Sequence, residues 1–467
     1  MASKILRTKV EDPEVLEGAV LVETRENLTR EVWRLAWPTF AESLLGTMTQ
    51  IVDTAMVGRL GPVAVASTGI GMQPLFLAQG IFMGIGIATN AIVARYVGAR
   101  ERENARIVTG QSLLISIILS LVIFLPLLFI SRDIVIFMGA RDEGVIKYGT
   151  IYLSWIIPGL IFMTSTMGIV GALRGAGDTK TPMYINVLVN MINVFGNYVL
   201  IYGKLGFPML GVEGAAIATT FSRLIGAILL ILVIFNKKSA MSTDLNYCLH
   251  LNKEFILKLV NLAYPASLER IVLSLALLFY TRIVALLGTI PYAAHSIAMN
   301  AESLSFMPGL AFATAATTLV GQSLGARNPE KAERATYTCL KLGIYFMGSM
   351  GVLFFSFPQF FMRIYTNNAD VISYGSLALR VVAFAQIPMA IAFIVSGALR
   401  GAGDTRTVLY ATAVAVWCIR LVLAYLFVYT FGMGFFGAWL VMIFDWLFRV
   451  SWLVIRFRSG GWKDIKI

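Results

Sequence analysis

Glu42, Thr49 and Asp53 are spaced at i, i+7 and i+11. On a helix turning about 100° per residue they form one polar stripe roughly three turns long. Gly46 lies on the same face and leaves room beside it. Asn190, Asn193 and Asn197 stand at i, i+3 and i+7, again a single helical face. One carboxylate with amide and hydroxyl oxygens can bind a hard cation such as Na⁺. A carboxyl withdrawn from water can instead shuttle a proton. Three amides on one face can also act as hydrogen-bond glue between packed helices.

The elements that must position these groups are set by composition. Hydrophobic residues make up 58% of the 467-residue chain and charged residues 14%, where a soluble domain carries about 25% charged; the mean hydropathy is +0.77. Twelve apolar runs cover about 33–58, 64–94, 107–131, 148–173, 180–203, 211–235, 256–287, 292–322, 335–357, 372–399, 406–430 and 434–457. Each is long enough to cross a ~30 Å hydrocarbon layer. Lipid offers no partner to a free backbone group, so the spans must be helices. Within them an ionisable side chain costs about 2.5–3.5 kcal/mol on insertion scales, so Glu42 and Asp53 should serve a purpose.

The net charge of +12 invites a nucleic-acid partner, and its placement argues against one. Arg95, Arg100, Arg102 and Arg106 fall between segments 2 and 3, and Arg174 and Lys180 between 4 and 5. Lys237, Lys238, Lys253 and Lys258 lie around the 6–7 connection, Arg327, Lys331 and Arg334 after segment 8, and Arg400 and Arg406 after segment 10. Arg456, Arg458, Lys463 and Lys466 close the chain. The alternate connections are short or carry acids (Asp133, Asp142, Glu143, Asp370). This alternation predicts both termini in the cytoplasm of a multi-pass inner-membrane protein. The first thirty residues are acid-rich (Glu11, Asp12, Glu14, Glu17) and lack the pattern of a cleavable signal peptide. Cys248, Cys339 and Cys418 have no ligand spacing and read as free thiols.

Gly-Ala-Leu-Arg-Gly-Ala-Gly-Asp-Thr occurs identically at 171–179 and 397–405, an offset of 226. Leu35-Ala36-Trp37-Pro38 matches Leu262-Ala263-Tyr264-Pro265 at an offset of 227, as do Glu42 with Glu269 and Gly98-Ala99-Arg100 with Gly325-Ala326-Arg327. The chain therefore divides into an N-terminal segment (1–32), an N-lobe (33–236), a linker (237–255), a C-lobe (256–457) and a tail (458–467). Six spans per half make the repeats parallel, related by an axis along the membrane normal. The expected fold is an all-α integral membrane protein, twelve transmembrane helices in two pseudo-symmetric six-helix bundles around a central cleft. In the repeated block Gly175 and Gly177 can supply positive φ or close packing, and Asp178 can cap the next helix. A phosphate cradle would need a Lys-Ser/Thr pair and a preceding strand, and the block has neither.

The halves differ in polarity. Asp53 maps onto Tyr280 and Asn197 onto a place near Leu423, so the N-lobe cluster lacks a C-lobe twin. The C-lobe holds Glu269, Arg270, Arg282, Glu302, Arg420, Asp445 and Arg449 instead. Asp445 and Arg449, at i,i+4, should neutralise each other. Glu269 either pairs with an arginine or faces the cleft, and Glu42 has the same alternatives. Pro38 removes a hydrogen bond from the helix carrying Asp53, so a hinge there would couple occupancy of Asp53 to bending of segment 1.

With the repeat, Pro38, the Val52–Gly58 run Val-Asp-Thr-Ala-Met-Val-Gly, Ala293-Ala294-His295 and Gly461-Trp462-Lys463, the chain resembles the multidrug and toxic compound extrusion (MATE) family of the MOP flippase superfamily over about residues 30–465. The details of segment 1 resemble its DinF-like branch. The resemblance implies export of amphipathic organic cations by alternating access, coupled to entry of H⁺ and/or Na⁺, with no enzyme activity and no cofactor beyond the coupling ion. In DinF-like relatives a segment-1 acid, an Asn and a second acid on segment 5 surround that ion. Asp53 matches the first and Asn193 the second, while Asn197 is an amide where the second acid is expected. The site implied is Asp53, Asn193 and Asn197, which could hold Na⁺, with Glu42 and Thr49 beside them. Cavity candidates are Asn190, Tyr152, Thr219, Glu269, Tyr280 and Gln386. NorM-like members use acids on segments 7 and 10; segment 10 here offers Gln386 and Met389 but no acid. Expected partners are small organic cations and the bilayer, with the chain a monomer and no nucleic acid bound. One charge crossing 100 mV releases about 2.3 kcal/mol, which drives useful efflux without ATP. A lipid or lipid-linked oligosaccharide flippase of the same superfamily is the alternative.

Overall fold

The computed structural model describes residues 13–237 and 239–465, with side chains from Asn27 onward except at 71–74, 76 and 77. Residues 1–12, with Glu11 and Asp12, and Lys238 and Lys466 lie outside the described residues, as do the side chains of Glu14 and Glu17.

Among the described residues the chain forms twelve long helical rods, three short helices (Ser131–Phe137, Leu245–Leu249 and Pro358–Arg363) and no strand. The first six are α1 (Pro13–Gly58), α2 (Pro62–Gly98), α3 (Arg102–Phe129), α4 (Glu143–Gly175), α5 (Lys180–Tyr202) and α6 (Val212–Phe235). The second six are α7 (Lys253–Ala285), α8 (Thr289–Gly325), α9 (Pro329–Ser356), α10 (Ala369–Ala383 and Gln386–Ala402, bent by 55°), α11 (Thr405–Thr430) and α12 (Gly434–Arg458). Nine of these, or ten with bent α10 as one span, are long and apolar enough to cross a membrane. The other two are α1 and α7, which open the halves and carry Glu42 and Asp53, and Glu269, Arg270 and Arg282. The expected spans match these rods to within a few residues, except that α1 begins at Pro13, inside the segment assigned to an N-terminal extension.

Polar residues in the connections start the rods. Asp142, Asn252, Asn328, Asn368 and Asp404 each accept a hydrogen bond from a first-turn amide of the helix that follows, satisfying donors that have no intrahelical acceptor. Asp178 does the same for Thr181 N at 3.0 Å.

The repeated block is a crossing device. Gly171 and Gly175 face α2 so closely that a Cβ there would lie 2.3 Å from Gly86 O and 2.6 Å from Asn90 O. Gly397 and Gly401 meet α8 in the same way, 2.2 Å from Ala313 O and 2.3 Å from Thr317 O. A small residue at i and i+4 lets two backbones touch in lipid, where packing must replace the hydrophobic effect. Gly177 and Gly403 then reverse the chain at φ of +89° and +95°, a region open to glycine.

Two large apolar cores form beside a small cluster around Val57 and Ile201, and the first helix of each half contributes to the other half's core. Leu28, Val32, Leu35 and Ala36 of α1 join the C-half core. Phe255, Leu259, Leu262 and Ala263 of α7 join the N-half core. The linker is strapped onto the N-half, with Gln111 Nε2 donating to Tyr247 O (2.6 Å) and His250 O (2.8 Å). At the end holding the described C-terminal tail, α2 and α8 cross. A Cβ on Gly98 would stand 2.0 Å from Gln322 O, and one on its repeat partner Gly325 2.0 Å from Arg95 O. Thr318 Oγ1 bonds Asn90 Oδ1 and Arg174 O, both at 3.1 Å, and Gln322 Nε2 donates to Gly175 O at 2.9 Å. The halves are sealed there by backbone contact.

Candidate functional site

Asp53, near the far end of α1, faces α5 and α6. Asn197 Nδ2 donates to Asp53 Oδ1 at 2.6 Å. With the Asn193 amide oriented to satisfy its neighbours, its nitrogen lies 3.0 Å from both Asp53 oxygens and its oxygen accepts from Thr219 Oγ1 at 3.0 Å. Asn193 and Asn197 are buried, and Asn197 Oδ1 is left without a partner. The i, i+4 spacing of the two asparagines aims both amides at one carboxylate. Arg223 of α6 and Tyr152 of α4 reach the same carboxylate electrostatically, and Arg223 Nη1 is buried without a partner. Arg223 was missed in the sequence although its signal is plain, an arginine inside an apolar span of a chain with few such residues.

The remaining stripe residues sit elsewhere. Glu42 is held by Arg174 Nη2 (2.8 Å) and Asn186 Nδ2 (2.5 Å), so it is not a member of the Asp53 cluster. Its counterpart Glu269 takes Arg400 Nη2 on both oxygens (2.8 and 2.7 Å) and Thr412 Oγ1 at 3.2 Å. The arginine of each repeated block therefore neutralises the glutamate of its own half, and Glu269 is a packed ion pair, not a cavity group. The sequence left this pairing open because Arg174 and Glu42 lie 132 residues apart. Thr49 donates to Leu45 O at 2.9 Å, within its own helix. It lines, with Asn190, a groove of about 590 Å³ between α1 and α5. Gln386 is fully buried and accepts from Ser305 Oγ, which removes it from the cavity candidates. Pro38 lies inside continuous α1.

Tyr280, in the place of Asp53, is also packed away: it is 1% exposed and donates to Ala438 O at 2.7 Å. Its surroundings are charged but differ in kind from the Asp53 cluster, with arginines and Asp445 where the N-half has a carboxylate and amides. Arg420 stands over the Tyr280 ring at 5.7 Å and donates to Asp445 Oδ2 at 2.5 Å. Arg449 donates to the same carboxylate at 3.2–3.3 Å, so Asp445 serves two arginines where one was expected. Arg420 lies in a π-helical stretch, Ala415–Leu421, an irregularity frequent at functional sites.

This geometry agrees with what the chain is similar to. The MatE family model matches residues 38–199 and 265–426, one copy per half. "Probable multidrug resistance protein NorM" of Thermotoga maritima is 31% identical over 444 residues, covering 93% of each chain. The protein of the same name from Bacillus thuringiensis is 31% identical, over 90% of this chain and 93% of its own. A solved outward-facing multidrug resistance MATE family transporter of the MOP superfamily superposes with a TM-score of 0.87 at 24% identity, over 94% of this chain and 97% of its own. The chain, a polytopic membrane transporter, belongs to the MatE family.

Proposed function

We propose that the protein is a multidrug antiporter that exports amphipathic organic cations by alternating access, each cycle coupled to cation entry at Asp53. The observation that carries this reading is the Asp53 carboxylate of α1, met by two buried amides of α5. The names of the relatives, multidrug resistance proteins, support export of drugs, and the seal between α2 and α8 at one end supports an access path at the other. H⁺ suits the site better than Na⁺. Both amides turn N–H groups toward the carboxylate where a metal ion needs oxygens, and the Arg223 guanidinium adds positive charge. Asn197 in place of an acid points the same way, since it leaves one carboxyl to carry one proton. The segment-1 details favour the DinF-like branch, and Pro38 is the hinge through which occupancy of Asp53 bends α1. The protein works as a monomer in the cytoplasmic membrane with both termini inside.

Efflux of a cationic dye in everted vesicles tests the reading. An imposed ΔpH should drive export, and Asp53→Asn should abolish it while dye binding persists. Export driven by a Na⁺ gradient alone would defeat the proton assignment. If neither gradient moves the dye, the antiporter reading fails.

A further inference from the structure

Glu302, on α8, is 0% exposed, and neither carboxylate oxygen has a hydrogen-bond partner. Every other buried acid described in the two cores is bonded: Glu269 to Arg400, Asp445 to Arg420 and Arg449, Asp404 to Arg456. Placing an ionised carboxylate in an apolar interior without donors costs several kcal/mol even after relaxation (~20 kcal/mol in the Born limit). So placed, Glu302 must either hold a proton or meet a cation that approaches it.

The groups around it decide between these. Arg420 of α11 and Tyr280 of α7 are electrostatically coupled to Glu302. Behind Arg420 stand Asp445 and Arg449 of α12. His295 of α8 packs edge-on to Tyr280 and to Trp439, with ring centroids at 5.7 and 5.4 Å. Two arginines against one bonded aspartate leave this buried cluster one positive charge in excess. That excess repels a metal ion, and the cluster's other acid, Asp445, is already bonded by two arginines, so the ligand that fits is a proton. The excess is also what an ionised Glu302 would cancel. Arg420 is equipped to respond: its Nε has no partner, and it rises from the π-helical stretch of α11.

We propose that Glu302 is a second proton-carrying carboxyl, in the C-half, which is protonated while Arg420 holds Asp445 and is ionised when Arg420 turns to it. The ionised state leaves Asp445 with Arg449 alone and the cluster electrically neutral. Proton transfer at Glu302 would thus switch a contact between α11, α12 and α8 while Asp53 works in the other half. The proposal rests on the proton-coupled reading above only for its role in transport; proton binding itself is measurable apart from it.

Infrared difference spectra of the full-length protein in lipid, taken across a pH titration, follow the carbonyl stretch of protonated carboxylic acids. Glu302→Gln should lose one such band that Asp53→Asn retains, and Arg420→Lys should move the pH at which that band titrates. Should Glu302→Gln fail to fold, Glu302→Asp, which keeps a carboxyl, should shift the band's frequency. A Glu302→Gln spectrum superimposable on wild type, or a band displaced by Na⁺ in place of protons, overturns the proposal. Failure of Asp53→Asn to impair dye export, with the Glu302 band intact, would count against the coupling reading alone.

Discussion

The crossing of α2 and α8 gives a prediction whose size follows from the backbone. Gly98→Ala puts a Cβ 2.0 Å from Gln322 O, and Gly325→Ala puts one 2.0 Å from Arg95 O. Ordinary contact begins at 3.4 Å, so in either variant the helices must separate by about 1.4 Å. No side chain can move aside, because the obstacle is a carbonyl. Overpacking of this kind costs about 1–3 kcal/mol, and the cost falls on the sealed arrangement alone, since a state with these ends apart does not feel the methyl. A bias of that size shifts the two populations about 5- to 150-fold. Spin labels at Arg102 and Glu330, both exposed, report the separation of the two ends by pulsed dipolar spectroscopy once exposed Cys418 is replaced by serine. Both variants should gain a long-distance population and lose dye export, and the double variant should exceed either. Gly46→Ala is the control: nothing lies within 4 Å of its Cβ, so it should leave the distances unchanged and gain about 0.5–1 kcal/mol of helix stability. Distance distributions and export identical to wild type in both crossing variants would refute the seal.

The ion pairs made by the repeated block predict a graded loss. Arg400→Ala strands the buried Glu269 charge and should cost about 3–5 kcal/mol, seen as a lower midpoint of thermal unfolding in detergent. Arg174→Ala should cost less, because its pair is more exposed (23% and 15%, against 14% and 9%). Arg400→Ala/Glu269→Ala should recover part of the loss, and no recovery would mean the arginine acts by packing alone. Pro38→Ala restores a donor to α1 and should cut dye export several-fold with binding retained; wild-type export would remove the hinge.

The architecture was legible in the sequence because its signals are local. Runs of apolar residues, the Asp178 cap and the glycines of the repeated block each act within a few turns of helix. The exchange of helix ends between the cores was not legible, since Leu28 and Phe255 look like any apolar residues near a span, and only tertiary packing says which half buries them. The Asp53–Asn193–Asn197 grouping was implied by the family resemblance, and it holds physically because each helix keeps its polar residues on one face, so a single packing of α1 on α5 brings both stripes together. The same regularity made Glu42 look like part of the site. Periodicity places Glu42 and Asp53 on one face but carries no information about a third helix, and it is Arg174, from α4, that claims the glutamate.

Symmetry was the more informative guide once charges were traced through it. Equivalent glutamates meet equivalent arginines in both halves, a repetition that belongs to the packing the two halves share. At the next level along the same helices the repeat breaks. The N-half places a carboxylate between two amides, whereas the C-half replaces it with Tyr280 and moves its acids to α8 and α12. Neither Asp53, held by two amides, nor Glu302, without a hydrogen-bond partner, has an arginine paired to it as Glu269, Asp445 and Asp404 do. On the proposed proton-coupled reading, two lobes that agree in packing but differ in where a proton resides would be driven against each other, because each protonation changes the energy of its own lobe.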